Sequence, residues 1–271
     1  MKKTAADNAS PLLLERNGAI ATLRFNRPDA LNAIDVPMAN AFLAAAQTVA
    51  ADPGVRAVVL CGNGKGFMAG GDLATLRANP VQGANPVQGA IDILTPLNAA
   101  LPLLAQMNAP VIAQVHGAAA GAGLSLLLMA DYVIAAESAR FNLAYINLGT
   151  SCDVGASWAL PRMVGLRKAL EIALLSEAFA ADDALRLGIV NRVVPAADLE
   201  TATAALAQRL AAGPTMAYGA MKRLMRASMD RALPEQLAAE KDAFVHCAGT
   251  EDFRAGVEAF HQRQQAQFVG R

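Results

Sequence analysis

The stretch HGAAAGAGLSLLLMADYVIA, residues 116–135, places three glycines between two apolar runs. Gly117, Gly121 and Gly123 let the backbone turn tightly and approach a ligand closely. The apolar run after them has the length of a helix and contains no helix breaker, so the pattern predicts a strand, a glycine turn and a buried helix. The unpaired amide N–H groups at the start of that helix would face an anion or a carbonyl oxygen that gains negative charge.

A second glycine turn lies earlier in the chain, in GNGKGFMAGGDL, residues 62–73. It follows a strand-like run, Val58-Val59-Leu60. Where two such turns converge, two backbone amides can point at one oxygen and stabilise the charge that a carbonyl gains in a reaction. The two turns together therefore predict a ligand site whose oxyanion hole is made of main-chain N–H groups.

The composition indicates a globular chain of one large domain or two small ones, with 271 residues of which 54% are hydrophobic. Basic and acidic residues number 23 each, and neither forms a long run. This balance argues against nucleic acid or an anionic membrane as the main partner. The three scattered cysteines predict reduced thiols and a cytoplasmic location, and cysteines and histidines show no metal-ligand spacing. No run approaches the roughly 20 apolar residues that a membrane span requires.

Strand-like and helix-like segments alternate in the first half of the chain. A hairpin around Asn17-Gly18 is predicted, and then a helix over residues 36–50. Further strands are predicted at residues 55–60, 111–115 and 132–135. From residue 156 onward, apolar residues at three- and four-residue spacing predict mostly helices. The predicted helices cover residues 166–175, 181–187, 199–212, 217–227, 233–247 and 250–267.

The segment NPVQGANPVQGA, residues 79–90, is a direct repeat of six residues. Two interpretations are open: a functional lid, or a tolerated loop insertion before a helix. We favour the loop insertion, because surface loops accept additional residues readily.

Several motifs of this chain resemble one known family. KGFMAGGDL at residues 65–73 and PVIAQVHGAAAGAGLSLLLMADYVIAAESARF at residues 110–141 resemble the two signature regions of the crotonase superfamily, the enoyl-CoA hydratase/isomerase family. The resemblance continues in order through RFNRPDALNAI, DVGASWALPRMVG, ALRLGIVNRVVP and EDFRAGVEAF, which begin at residues 24, 153, 184 and 251. It therefore covers nearly the whole chain.

This resemblance implies an α/β fold, a crotonase-like spiral of repeated ββα units with a C-terminal helical region. It divides the chain into a mobile N-terminal tail (1–10), the spiral core (11–200) and a C-terminal helical trimerisation region (201–271). It also implies homotrimers, usually paired into hexamers. The implied substrate is an acyl-CoA thioester, with coenzyme A as part of the substrate and no permanently bound cofactor or metal.

The resemblance implies that the oxyanion donors are the amides of Gly71 and Ala122. Family hydratases carry two glutamates that hold and activate the water added to the double bond. At the matching positions this chain has Ser125 and Tyr145. Tyrosine titrates near pH 10 and serine does not titrate, so neither can serve as a carboxylate base at neutral pH. Standard hydration chemistry is therefore disfavoured.

Asp153 is the candidate acid and base, because several branches of the superfamily place a catalytic aspartate at this position. A single carboxylate beside an oxyanion hole is sufficient to move a proton between two carbons of an enoyl-CoA. Burial against Trp158, Leu148 and Tyr145 is expected to raise its pKa towards neutrality. The alternative is that Asp153 only caps the helix that follows it.

Three functional hypotheses follow. The first is an enoyl-CoA isomerase that uses Asp153, and the second is thioester hydrolysis or dehalogenation on the same oxyanion hole. The third is a non-catalytic CoA-binding homologue that has lost the glutamates. Ser151 and Cys152 are poor candidates for a nucleophile, since no histidine stands near them in sequence. His116 is interpreted as a brace for the backbone.

The candidate substrate-binding residues come from the same resemblance. Arg27, Ala30 and Leu31 match a loop that cradles the adenine and pantetheine, and Lys65 matches a basic residue that can meet phosphate. Two residues near the C-terminus match an aromatic and a basic residue that reach the cofactor of a neighbouring subunit, namely Phe260 and Arg263. The set is completed by residues around the glycine turns and the replaced glutamates: Ala69, Gly70, Asp72, Leu73, Gly121, Ser125 and Tyr145.

Overall fold

The computed structural model describes residues 10–77 and 85–271. Nearly all of the predicted N-terminal tail, and the first copy of the six-residue repeat, lie outside these residues. The second copy begins a helix, with the Asn85 side chain accepting a hydrogen bond from the Val87 amide at 2.9 Å. This half of the repeat is therefore a helix start.

The described residues contain nine strands in two sheets. In chain order they are β1 (Leu12–Asn17), β2 (Ile20–Phe25), β3 (Ala57–Gly62), β4 (Val111–Val115), β5 (Ala118–Ala120), β6 (Tyr132–Ala136), β7 (Arg140–Asn142), β8 (Phe179–Ala180) and β9 (Arg192–Val194). The larger sheet has the order β1-β2-β3-β4-β6-β9, and only its first pair is antiparallel. The smaller sheet has the order β5-β7-β8.

Eleven α-helices accompany these strands in the same residues. They are α1 (Val36–Ala51), α2 (Leu73–Leu76), α3 (Pro86–Gln106), α4 (Ala122–Leu128), α5 (Ala156–Val164), α6 (Leu166–Leu175), α7 (Ala181–Arg186), α8 (Leu199–Ala211), α9 (Thr215–Ala227), α10 (Leu233–Ala248) and α11 (Glu251–Gln262).

The chain winds as a spiral in which each turn contributes to both sheets. A long strand enters the larger sheet, a short segment then pairs at the smaller sheet, and a helix follows. The units β4-β5-α4 and β6-β7-α5 show this pattern in full, and isolated parallel bridges from Ile34 to Gly71 and from Met68 to Ala119 extend it to the two earlier units. The predicted crotonase-like spiral of ββα units is confirmed.

The buried face of each unit forms one continuous apolar core. Strand β3 is buried on both faces, as expected for a central parallel strand covered by helices. Phe25 packs against Phe42 and Phe67, with ring centroids 6.0 and 5.7 Å apart. This aromatic cluster lies beneath the first glycine turn and holds it against the sheet.

Helix α3 is longer than the sequence reasoning expected, since residues 77–98 had no assigned structure there. By length and composition alone it could cross a membrane, with a mean hydropathy of 1.3, so the prediction that no segment approaches a membrane span overlooked it. In the structure it packs against α1, and Ile93, Leu97 and Leu104 lie in the core. Its apolar face is therefore accounted for by packing within the protein.

The C-terminal helices are attached to the spiral by a buried ion-pair cluster. Lys222 and Arg226 of α9 contact the two carboxylate oxygens of Asp131 at 2.6 and 2.8 Å, beside strand β6. The predicted boundary at residue 200 falls inside α8, which packs against β3, β4 and β6.

The last helix ends earlier than predicted. Helix α11 stops at Gln262, and Arg263 adopts a left-handed conformation with φ of 56°. The buried Asp252 carboxylate accepts hydrogen bonds from the amides of Val269 and Gly270 at 2.7 and 2.9 Å. These bonds hold the final residues back against α11, where the periodicity predicted a continuing helix.

Candidate active site

The two glycine turns pack directly on each other. The Phe67 amide donates to the His116 carbonyl at 2.8 Å, and the Ala120 amide donates to the Met68 carbonyl at 2.9 Å. A Cβ atom at Gly123 would lie only 2.3 Å from the Met68 carbonyl oxygen, so no side chain fits there. The absence of side chains lets the two backbones meet.

Two side chains brace this junction. The buried Asn32 side-chain amide lies 2.9 Å from the carbonyl oxygens of both Asn63 and Gly66, and its oxygen accepts from the Arg27 amide at 2.9 Å. The His116 ring contacts the Gly64 carbonyl at 3.0 Å, in agreement with a bracing role. Sequence reasoning missed Asn32, although asparagine is one of the few non-glycine residues that tolerates its φ of 56°.

The amides of Gly71 and Ala122 are placed as an oxyanion hole requires. Within residues 10–77 and 85–271, neither amide N–H donates a hydrogen bond to another group of the protein. A Cβ built on Gly70 would lie 3.6 Å from the Gly121 Cα and 3.7 Å from the Ala122 nitrogen. The two donors therefore lie on adjoining backbone segments and are free to bind an external oxygen.

A cavity of about 410 Å³ opens in front of these amides. Its walls are mostly apolar, with Leu73, Leu76, Ile93 and Leu97 from α2 and α3 on one side. Among the described lining residues, Asp153 has the only carboxylate and no lysine, arginine or histidine is present. The site therefore combines two unpaired amides, one acid and an apolar chamber.

Asp153 is held in a chain of hydrogen bonds. The Tyr145 hydroxyl donates to Asp153 Oδ1 in a very short bond, and Tyr145 Oη lies 2.9 Å from Ser125 Oγ. Ser125 Oγ in turn lies 3.2 Å from the Gly121 carbonyl oxygen, to which it donates. The two residues that replace the family's glutamates thus contact each other and the remaining carboxylate.

The electrostatic environment of Asp153 suits a base. Burial raises the pKa of the Asp153 carboxyl above its usual range, and the hydrogen bond from Tyr145 opposes this only in part. Burial, together with the negative charge of Asp153, raises the pKa of the Tyr145 hydroxyl, so tyrosine remains a neutral donor. Proton transfer at this site is therefore confined to the carboxyl group.

The helix-capping alternative for Asp153 is not what the structure shows. Helix α5 begins at Ala156 with Gly155 as its N-cap, and no side chain caps it. Val154, next to Asp153, has a left-handed φ of 52°, which is a costly conformation for a β-branched residue. This conformation lies between the carboxylate and the helix, as strained backbone often does at functional sites.

One predicted neighbour of Asp153 is elsewhere. Trp158 does not line the cavity; it is partly exposed, and the Arg162 guanidinium stacks over its ring at 4.3 Å. The expectation that Trp158 buries Asp153 is wrong, because α5 turns this side chain to the opposite face. Tyr145 and Leu148 do line the cavity with Asp153, although Leu148 is largely exposed.

The predicted substrate-binding residues fall into two groups. Those that line the cavity are Ala69, Gly70, Leu73, Gly121 and Tyr145, together with the proposed donors Gly71 and Ala122. Ser125 is fully buried behind Tyr145 and does not line it. Outside the cavity lie Arg27, Ala30, Leu31, Lys65, Asp72, Phe260 and Arg263.

Arg27 is already paired within the protein. Its guanidinium contacts Asp72 at 2.8 Å and Asp35 at 3.3 Å. Burial disfavours the ionised form of Asp72, but hydrogen bonds from Arg27 and the Ala74 amide outweigh it and hold the pKa of Asp72 below its usual range. Arg27 therefore ties the first glycine turn to the loop before α1. Lys65, Phe260 and Arg263 are exposed at the surface.

Comparison with known sequences agrees with this geometry. The profile of the family described as "Enoyl-CoA hydratase/isomerase" matches residues 15–271. This chain belongs to the enoyl-CoA hydratase/isomerase family. Enzymes of this family act on CoA thioesters, which the two free amides are suited to bind.

Relatives of this family member carry different activities in their names. A probable enoyl-CoA hydratase of Rhodobacter capsulatus is 36% identical over 257 residues, which are 95% of this chain and 97% of the relative. The 1,2-epoxyphenylacetyl-CoA isomerase of Escherichia coli K12 is 34% identical, over 93% of this chain and 95% of its own. A solved structure from Mycobacterium abscessus, described as a putative enoyl-CoA hydratase/isomerase, superposes with a TM-score of 0.88 at 34% identity, covering 96% of this chain and 100% of its own. The family is thus established, and the reaction must be argued from the site.

Proposed function

We propose that this enzyme moves the double bond of an enoyl-CoA, with Asp153 as the single acid and base. The observation that carries the proposal is the position of Asp153, whose carboxylate is the only one on the described wall of the cavity in front of Gly71 and Ala122. The similarity to an isomerase of Escherichia coli supports the same reaction class.

The reaction requires a proton to leave one carbon and arrive at another. The thioester oxygen accepts hydrogen bonds from the amides of Gly71 and Ala122, which stabilise its charge. Asp153 takes a proton from C2 of a 3-enoyl-CoA, and the electron pair moves into a dienolate whose negative charge lies on the thioester oxygen. Asp153 then returns the proton to C4, which leaves a 2-enoyl-CoA and a regenerated carboxylate. Removing one oxyanion donor in a comparable site costs about 2.7–4 kcal/mol.

Hydration is the weaker assignment because water needs its own base. The two positions that hold carboxylates in family hydratases here hold hydroxyls, and those hydroxyls bind one another and Asp153. With a single carboxylate, the site has one group for one proton, as an isomerisation needs.

We further propose that the enzyme forms homotrimers, paired into hexamers, through residues 201–271. The described C-terminal helices expose large apolar side chains, among them Met225, Leu233, Phe244 and Phe260. Such exposed apolar surface is typical of interfaces. In this arrangement Phe260 and Arg263 would reach coenzyme A bound to a neighbouring subunit. The cytoplasmic location stays a prediction.

The test is to incubate the purified enzyme with a 3-enoyl-CoA in deuterated water. Mass spectrometry follows the formation of 2-enoyl-CoA and the uptake of deuterium, for the wild type and Asp153→Asn. We expect conversion by the wild type and a loss of about 10²–10⁴-fold in the variant, which is the contribution typical of a positioned general base.

The control is Asp182→Asn, which removes an exposed carboxylate on α7 and should leave the rate unchanged. Release of free thiol would instead point to hydrolysis, and release of halide from a haloaryl-CoA to dehalogenation. An acyl-CoA that binds without any conversion would overturn the isomerase proposal in favour of a binding protein.

A further inference from the structure

The hydrogen-bond chain from Asp153 leads back to the oxyanion hole. It runs from the carboxylate through Tyr145 and Ser125 to the carbonyl oxygen of Gly121. That carbonyl belongs to the same peptide group as the amide N–H of Ala122, one of the two proposed oxyanion donors. The acid/base and the oxyanion hole are therefore connected through three hydrogen bonds and one peptide unit.

Ser125 has one hydroxyl proton and two acceptors for it. Tyr145 Oη lies at 2.9 Å and the Gly121 carbonyl oxygen at 3.2 Å, and the latter also accepts from the Ser125 amide at 3.0 Å. When Asp153 is ionised, Tyr145 donates to it strongly, and the tyrosine oxygen becomes a better acceptor. The Ser125 proton is then drawn towards Tyr145.

The balance reverses when Asp153 takes up a proton from the substrate. A neutral carboxylic acid is a weaker acceptor than a carboxylate, so the tyrosine oxygen attracts the Ser125 proton less. The proton then moves towards the Gly121 carbonyl. A hydrogen bond to a peptide carbonyl polarises the peptide and strengthens its N–H as a donor.

We propose that Ser125 and Tyr145 form a relay that strengthens the Ala122 oxyanion donor at the moment when Asp153 becomes protonated. At that moment the negative charge of the dienolate lies on the thioester oxygen. The relay transfers no proton between groups; only the orientation of the Ser125 hydroxyl changes. Both residues are positioning residues, and the inference rests on the proposed function.

Burial makes such a relay effective. Ser125 is 0% exposed and Tyr145 is 9% exposed. In so dry an environment a change in one hydrogen bond is screened less than at the surface. Tyr145, Cys152 and Asp153 are the titratable side chains on the described cavity wall, and of these only Asp153 carries a charge that could switch the relay.

The test uses infrared difference spectroscopy of hexanoyl-CoA labelled with ¹³C at the thioester carbonyl. This saturated thioester has no double bond to move, so the measurement requires binding and not turnover. In the wild type we expect the bound carbonyl stretch to move to lower wavenumber as the pH falls and the Asp153 carboxyl band appears. In Ser125→Ala the carbonyl stretch should no longer follow that band.

The matched control is Thr203→Val. Thr203 is buried in α8 and its hydroxyl also donates to the carbonyl four residues earlier, at 2.8 Å, but it lies away from the cavity. This variant should keep the wild-type pH response. In turnover, Ser125→Ala should lower kcat by about tenfold and change KM by less than about twofold, as expected for an interaction that matters in the transition state.

The relay would be overturned if Ser125→Ala followed the wild-type response, or if the wild-type carbonyl stretch did not respond while the Asp153 band titrated. Failure of the proposed function has a different signature. In that case 3-enoyl-CoA is not converted, while the infrared titration of bound hexanoyl-CoA still reports on the relay.

Discussion

Two walls of the cavity are built on opposite principles. The wall formed by the glycine turns is made of backbone, and its donors are placed by close contacts that exclude side chains, such as the 2.3 Å that a Cβ at Gly123 would leave to the Met68 oxygen. The wall formed by residues 144–155 is made of side chains, and its carboxylate is placed by hydrogen bonds and by left-handed backbone at Ala144 and Val154.

This difference separates what the family shares from what distinguishes its members. Backbone amides are the same in every sequence, so the glycine wall provides an oxyanion hole for many reactions. The side-chain wall can exchange glutamates for Ser125 and Tyr145 and transfer the acid/base role to Asp153 without moving the oxyanion hole. The chemistry can therefore change while the thioester stays in place.

The largest effect is expected from adding one methyl group to each wall. Gly123→Ala forces a backbone overlap with Met68, and we expect it to lower the free energy of unfolding by about 3 kcal/mol and kcat by roughly 100-fold through a displaced donor. Gly149→Ala has open space around it and only a φ of 69° to tolerate, which should cost about 1 kcal/mol. Urea unfolding and the isomerase rate measure both effects. Equal losses in the two variants would contradict the comparison.

A smaller effect, visible in the pH dependence, is expected from Tyr145→Phe. The Tyr145 hydroxyl stabilises the ionised form of Asp153 and opposes the rise in pKa that burial causes. Its removal should raise the pKa of Asp153 further. Because the carboxylate is the active form, activity is lost as the pH falls through that pKa. The acid limb of kcat/KM should therefore move to higher pH than in the wild type. An unchanged limb would show that the bond does not act on the base.

The smallest effect is expected at the neighbour of the base. Cys152 lines the cavity, but within the described residues no histidine lines it with Cys152. Cys152→Ala should change kcat and KM by less than about twofold, since an unactivated thiol contributes little to catalysis. Steady-state kinetics with a 3-enoyl-CoA would measure this. Abolished activity would move the chemistry from Asp153 to a thiol nucleophile.

Some features could be predicted from local sequence and others could not. The strands, the glycine turns and most helix positions follow from apolar periodicity and from glycines that only close backbone contact explains. The end of α11 at Gln262 and the outward turn of Trp158 could not, because each depends on which distant group is available. The amides of Val269 and Gly270 bind Asp252, and Arg162 stacks on Trp158.

The sequence by itself determined that two glycine turns would meet and offer two amides, and that Asp153 would be the remaining carboxylate. Both conclusions rest on residue types whose chemistry admits few alternatives. Only the tertiary structure decided that Ser125, Tyr145 and Asp153 form one chain of hydrogen bonds ending at the oxyanion hole. These residues come from α4, a following turn and the segment before α5, and side-chain contacts between separate elements depend on distances that no local pattern encodes.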